Sequence, residues 1–226
     1  MVRSSPRQAE RDFHYWCLHI AHHYPKASKL AHGQTICKAT RKDDCSGVKR
    51  MNFESVVKRR RMCRQYLDRD VPQEKVNRIL DLASRYPSAG HTEPQELVVV
   101  RDRRVKEELA QAALDQMFVA QAPLVIVVVS DVRRSARRYG ERGVHFFSIT
   151  DGAFVAMLVL LAVVDEGLGA CFVGSFYDER VQEVLGLPPH VRPIGIIPIG
   201  YCAEGPRKLS RRSRQQIIHR DRYGVR

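Results

Sequence analysis

An unbroken apolar run from Ala153 to Val164, ended abruptly by Asp165-Glu166, restricts this chain more than any other feature. A bilayer core takes about 20 helical residues, and this run is shorter than that. A segment that is apolar on every side must then be buried in protein on every side, so it reads as a core helix. Such a helix needs a core around it, and 226 residues can build one, since single domains commonly hold roughly 100–200. With 44% hydrophobic and 28% charged residues, the composition is that of a globular protein and not of a disordered one. The basic stretch from Met1 to Arg11 runs into Asp12, His14, His19, His22 and His23 instead of an apolar h-region, so no secretory signal is visible. A cytoplasmic location without membrane association is the expectation.

The chain divides into two unequal parts. Residues 1–50 show no sustained helical or strand period, yet they hold five of the nine histidines and three of the six cysteines. Cys17, His19, His22, His23, Cys37 and Cys45 offer zinc-type ligands, but no C-x-x-C pair has a matching second pair, and no metal is expected. The segment reads as a disordered leader or, preferably, as upstream sequence translated from a misplaced start. The folded domain is expected over residues 51–226.

From Met51 the pattern is mixed. Asn52 to Lys58 reads as a short helix. Pro72 fits a first helical position, and Val76, Ile79, Leu80 and Ala83 then recur at i, i+3, i+4 and i+7, a helical stripe that ends near Tyr86-Pro87. Leu97 to Val100 is a strand, Val105 to Leu114 a helix, and Leu124 to Val129 a strand buried on both faces. The long helix from about Phe146 to Asp165 closes at Gly167-Leu168-Gly169. Cys171 to Val173 follows as a strand, Glu179 to Leu185 as a helix and Ile194 to Ile199 as the last core strand. This alternation predicts an α+β fold, one sheet covered by helices.

Several stretches carry chemistry. Arg59-Arg60-Arg61-Met62-Cys63-Arg64 sets guanidiniums, whose forked donors match a phosphate, just after a short helix. Pro87-Ser88-Ala89-Gly90-His91-Thr92-Glu93-Pro94 is a turn-rich loop between a helix and a strand. Gly167-Leu168-Gly169 and Gly174-Ser175-Phe176 flank a strand with backbone that a planar ligand can approach. Leu209-Ser210-Arg211-Arg212-Ser213-Arg214 supplies a second basic cluster.

Taken in order, these stretches resemble the FMN-dependent nitroreductase family over nearly all of Met51 to Gly224. Arg60 to Tyr66 is similar to its R-R-S-x-R-x-F/Y stretch, and Pro87 to Pro94 to its P-S-x-x-N-x-Q-P loop. Gly167 to Gly174, then Leu185-Gly186-Leu187-Pro188 and Ile199-Gly200-Tyr201, follow its later motifs, while Arg211-Arg212-Ser213 resembles its closing R-R-P. The resemblance implies a nitroreductase-like mixed central sheet, FMN as cofactor, NADH or NADPH as electron donor, and a homodimer with FMN at the interface. It implies that Arg60, Arg61 and Arg212 grip the FMN phosphate and that Arg64 lies beside the N1/O2 edge of the ring, where a cation stabilises reduced flavin. The backbone of Gly174 and Ser175 would approach N5, with Met62, Pro87, Ser88 and His91 completing the cofactor site. No side-chain nucleophile is implied.

The chain departs from the family pattern at Met62 for Ser, His91 for Asn, Glu93 for Gln, and Gln95 for a common aromatic. The expected reaction is ping-pong transfer of hydride from NAD(P)H through FMN to a nitroaromatic, quinone or related acceptor. Flavin destruction and dehalogenation on the same scaffold are alternatives that the motifs do not separate. A net charge of +13 raises nucleic-acid binding, but the cations are scattered and no recognised nucleic-acid motif accompanies them. The six cysteines are expected to be reduced thiols, with Cys171 an inert core residue.

Overall fold

The structure, a computed structural model, describes residues 51–205 and 210–226. The expectations for residues 1–50 lie outside the described residues.

The elements run α1 (Phe53–Arg59), α2 (Gln73–Ala83), a 3-10 turn (Ala89–His91), β1 (Gln95–Val100), α3 (Arg103–Ala112), α4 (Phe118–Gln121) and β2 (Leu124–Asp131). Then come α5 (Val132–Arg142), a π-helical turn (Gly143–Phe147), α6 (Ser148–Asp165), β3 (Gly169–Ala170), α7 (Asp178–Leu185), β4 (Val191–Gly200) and α8 (Arg214–Ile217). The sheet order is β1-β2-β4-β3. All three strand pairs are antiparallel, and the parallel contribution is the single bridge between Met62 and Ala170. The α+β architecture matches the sequence reading.

β2 explains why a strand can be apolar at every position. Leu124, Ile126 and Val128 point into a core shared with Val76 and Ile79 of α2 and with Val155, Val159 and Val163 of α6. Val125, Val127 and Val129 point the other way, among Leu109 of α3, Val119 of α4 and Val181 of α7. Strand side chains alternate between faces, and both faces here are covered. The two cores make three layers with the sheet in the middle.

α6 is the core helix foreseen from its composition. Its Val155, Ala156, Val159, Leu160, Ala162 and Val163 are buried, but Phe154 and Met157 are half-exposed, so the burial is not on every side; the continuous stretch from Val132 to Asp165 is also long and apolar enough to cross a membrane. Its end is fixed by Glu166, which lies in a two-pronged ion pair with Arg78 of α2, Nε–Oε1 and Nη2–Oε2 each 2.7 Å. Asn52 caps α1 by accepting from the Ser55 amide, and Asp102 caps α3 by accepting from the Val105 amide.

Two sequence expectations shift. Pro72 precedes α2 instead of occupying its first turn, and the helix stops at Ala83, because Ser84 and Arg85 close it with backbone bonds to Leu80 and Leu82. β3 is Gly169–Ala170, one step before the expected Cys171 to Val173, where only Val173 bridges β4. α5 carries an arginine-rich stretch and breaks at Gly140, whose φ of 51° suits glycine.

The cysteine expectation is corrected. Cys63 and Cys202 form a disulfide, with Cα atoms 6.0 Å apart, while Cys171 is a free, buried thiol. The cause is register: Tyr66 bridges Cys202, the Leu67 amide donates to Tyr201 and the Ala203 amide to Gln65. Two segments far apart in sequence thus become neighbouring strands.

Candidate active site

The segment after α1 forms one wall of a cleft of about 1140 Å³, lined on that side by Arg59, Arg60, Arg61, Met62 and Arg64 and on the other by Gly169, Tyr201, Cys202, Glu204 and Arg211. The wall exists because α1 ends at Arg59 and the chain then runs extended beside β3, the Cys63 amide donating to Ala170. Arg61 and Arg64 are oriented by Glu204. Arg61 Nη2 donates to the Glu204 carbonyl at 2.7 Å, and the Arg64 amide donates to its carboxylate at 2.8 Å. Arg60 differs: its Nη1 is buried and has no hydrogen-bond partner among the described residues.

Arg64 reaches toward α4. Its guanidinium lies 5.9 Å from the ring centre of Phe118 in α4, and its charge offsets part of the upward shift that burial imposes on the Cys171 thiol. Burial likewise pushes the Tyr66 phenol well above its ordinary value, so Tyr66 stays a neutral donor to Cys63 and Pro198 carbonyls. Cys171, 1% exposed, sits in the core as expected of an inert residue.

The expected site residues fall into groups. Arg60, Arg61, Met62 and Arg64 line the cleft together. Gly174 and Ser175 are exposed at the corner between α3 and α4, where Gln116 Nε2 donates to the Ser175 carbonyl. Pro87, Ser88 and His91 lie on a separate loop and do not line the cleft. Arg212 does not line it either; its Nη2 donates to the Gln216 carbonyl, and the neighbouring Arg211 faces the cleft.

The loop around Ser88 is held from two sides. The Ala89 amide donates to Asp151 of α6, while Arg138 and Arg134 of α5 donate to the Gly90 and Thr92 carbonyls at 3.0 and 3.1 Å. Ser88 Oγ accepts from the Glu93 amide. Gly90, His91 and Glu93 all have positive φ, at 55°, 55° and 44°. The two non-glycine residues are strained there, which the clamps must outweigh. Gln95 is buried, its amide donating to Ser130 and to the Ser148 carbonyl, so it is a tie between β1 and α6.

Sequence reasoning missed Glu204 and the disulfide. Glu204 lies between two recognisable motifs, Ile199-Gly200-Tyr201 and Arg211-Arg212-Ser213, and acts half through its main chain, which no residue pattern reveals.

The nitroreductase family model matches residues 57–131 and 116–201. The chain belongs to the nitroreductase family. A relative described as an NADH dehydrogenase in Thermus thermophilus is 30% identical over 181 residues, covering 68% of this chain and 88% of its own. An FMN reductase (NADPH) of Bacillus subtilis is 25% identical over 187 residues, with 77% and 75% covered. Among solved structures, a nitroreductase family protein from Streptococcus pneumoniae superposes with a TM-score of 0.68 at 26% identity, over 75% of this chain and all of its own.

Proposed function

We propose that this member of the family is an FMN-dependent oxidoreductase that takes two electrons from NADH or NADPH and delivers them to a small acceptor such as a nitroaromatic or quinone. The observation that carries the reading is Arg60. A buried guanidinium nitrogen without a partner costs free energy, about 1–3 kcal/mol for an ordinary polar group and more for a charged one, and a phosphate arriving in the cleft answers it. Arg61 and Arg211 stand on the same cleft, so the residues fit a phosphate-bearing cofactor.

FMN, when bound, supplies the hydride chemistry. The chain supplies the setting. Arg60 and Arg61 hold the phosphate, with Arg211 beside Arg212 at its rim. Arg64 keeps a positive charge at the N1/O2 edge, fixed through its amide to Glu204. Gly174 and Ser175 offer main-chain groups to N5 without imposing a side chain. Met62 turns its sulfur to the Phe172 amide and offers no hydroxyl to the phosphate. The loop with Pro87, Ser88 and His91 serves the cleft of a second copy, which makes the enzyme a homodimer, and it works as a cytoplasmic protein whose residues 51–226 suffice for the fold. Nucleic acid is not a partner in this reading.

The experiment is spectral and kinetic. The purified protein should be yellow or bind added FMN, and double-reciprocal plots with NADH or NADPH against nitroaromatics, quinones, free flavin and halogenated phenols should give parallel lines. Protein that binds no FMN, or lines that intersect, would count against the cofactor or the ping-pong order respectively.

A further inference from the structure

We infer that Cys63 and Cys202 form a thiol-exchange site whose reduction loosens the arginine cleft and its hold on a phosphate-bearing cofactor; the inference rests on the FMN reading above. Cys63 is fully buried, whereas Cys202 is half-buried and lines the cleft, so Cys202 is the half of the bond that borders the ligand side. The disulfide is backed by main chain: a Cβ placed on Gly169 would come within 2.9–3.0 Å of Cys63 Cβ, Cys63 Sγ and Cys202 Cβ. Two separate thiols need more room than two bonded sulfurs. Behind Cys63 stands the Gly169-Ala170 backbone, and the Cys63 amide is tied to Ala170. Gly169 backs both cysteines alike, so the open direction is the cleft that Cys202 borders, and the pair gives way there.

What moves with Cys202 is the support of two site arginines. The Glu204 carboxylate and both sulfurs lie within 4.8 Å of one another, and Glu204 receives Arg61 through its carbonyl and the Arg64 amide through its carboxylate. A displacement of residues 201–204 is passed on to both.

The exchange is balanced. A thiolate of a small dithiol, drawn in by the cationic cleft, attacks Cys202 Sγ; the Cys63–Cys202 bond breaks, Cys63 leaves as thiolate and takes a proton, and a mixed disulfide remains on Cys202. The second thiol of the reagent displaces Cys202, which is released as a thiol, and the reagent leaves as its cyclic disulfide. Protein sulfur is reduced by two electrons and the dithiol is oxidised by two. By linkage, whatever factor reduction costs in FMN affinity, bound FMN returns in resistance to reduction; a tenfold factor corresponds to about 30 mV for this two-electron couple.

The test uses the full chain, oxidised and treated with dithiothreitol, the state of each cysteine being fixed by iodoacetamide and peptide mass mapping. Reduction should weaken FMN at least tenfold by fluorescence titration, and Cys63→Ala should respond less than twofold. Amide exchange, read without FMN, should speed up at Leu67 and Ala203 on reduction. Unchanged exchange after verified reduction, or an equal dithiothreitol response in Cys63→Ala, overturns the inference. A protein that binds no FMN in either state refutes the cofactor reading instead, and the exchange rates then decide the thiol site alone.

Discussion

Arg61 Nη2 donates to the main-chain carbonyl of Glu204 at 2.7 Å, while the adjacent Arg60 keeps its Nη1 buried and without a partner among the described residues. Two consecutive guanidiniums therefore line the cleft in different states, one partly spent on the protein and the other with an unanswered donor. Arg60→Met should weaken FMN by at least tenfold, in line with the ~1.5–3 kcal/mol of a hydrogen bond to a charged group. Arg61→Met should cost less in binding and more in order of the 201–204 segment. Fluorescence titration of both variants checks this, and a larger binding loss for Arg61→Met would reverse the two roles.

Arg64 and the closing arginines should separate by what they affect. Arg64→Met removes the charge that the proposed function sets beside the ring edge, so it should lower the flavin reduction potential and slow reduction by nicotinamide more than it weakens FMN binding. Of the C-terminal pair, Arg211→Met should loosen FMN more than Arg212→Met, since Arg211 faces the cleft and Arg212 is turned to Gln216. Redox titration and stopped-flow reduction measure the first, and binding the second. An Arg64→Met enzyme with unaltered potential would remove its assigned role.

Gly195 should tolerate no side chain. A Cβ there would lie 2.2 Å from Phe172 Cε2, beside the irregularity where β4 slips register against β2 at Val128/Val129. Gly195→Ala is expected to cost about 1–3 kcal/mol, the usual range for overpacking, and Phe172→Leu should recover part of that loss. Urea melts of both single variants and the double variant give the coupling; purely additive losses would show that the ring is not the obstacle.

Asp151 gives stability a defined pH dependence. Its carboxyl is 2% exposed, and burial raises its pKa despite the bond from the Ala89 amide. Folding therefore favours the protonated form. The group's contribution is fully present below the unfolded carboxylate value of about 3.9 and declines as pH rises through the folded value. Asp151→Asn keeps an acceptor for Ala89 and should flatten that decline. Melting temperatures across mildly acidic pH test it, and an identical slope in the variant would place the titration elsewhere.

Much of the fold was legible because its signals are local. The all-apolar β2 announces burial on both faces, the apolar run of α6 announces a core helix though Phe154 and Met157 stay half-exposed, and the helical stripe from Val76 to Ala83 announces one face. The cleft was legible where its lining sits on consecutive side chains, as at Arg60 to Arg64. It was not legible where chemistry depends on register: the pairing of Tyr66 with Cys202 brings together two cysteines whose spacing in sequence says nothing. The clamp of Arg134 and Arg138 on the Gly90 loop was hidden for the same reason, since the carbonyls that receive these arginines lie far from them in sequence.

Because β2 gives alternate side chains to the core beneath α2 and α6 and to the core beneath α3, α4 and α7, neither layer can come apart while the other stays packed. Thermal melting should be a single event across the sheet, and a ligand gripped beside β3 should slow proton exchange as far away as the amides of β1. The strand that touches no ligand is the one through which tightening at the cleft is shared with the whole domain.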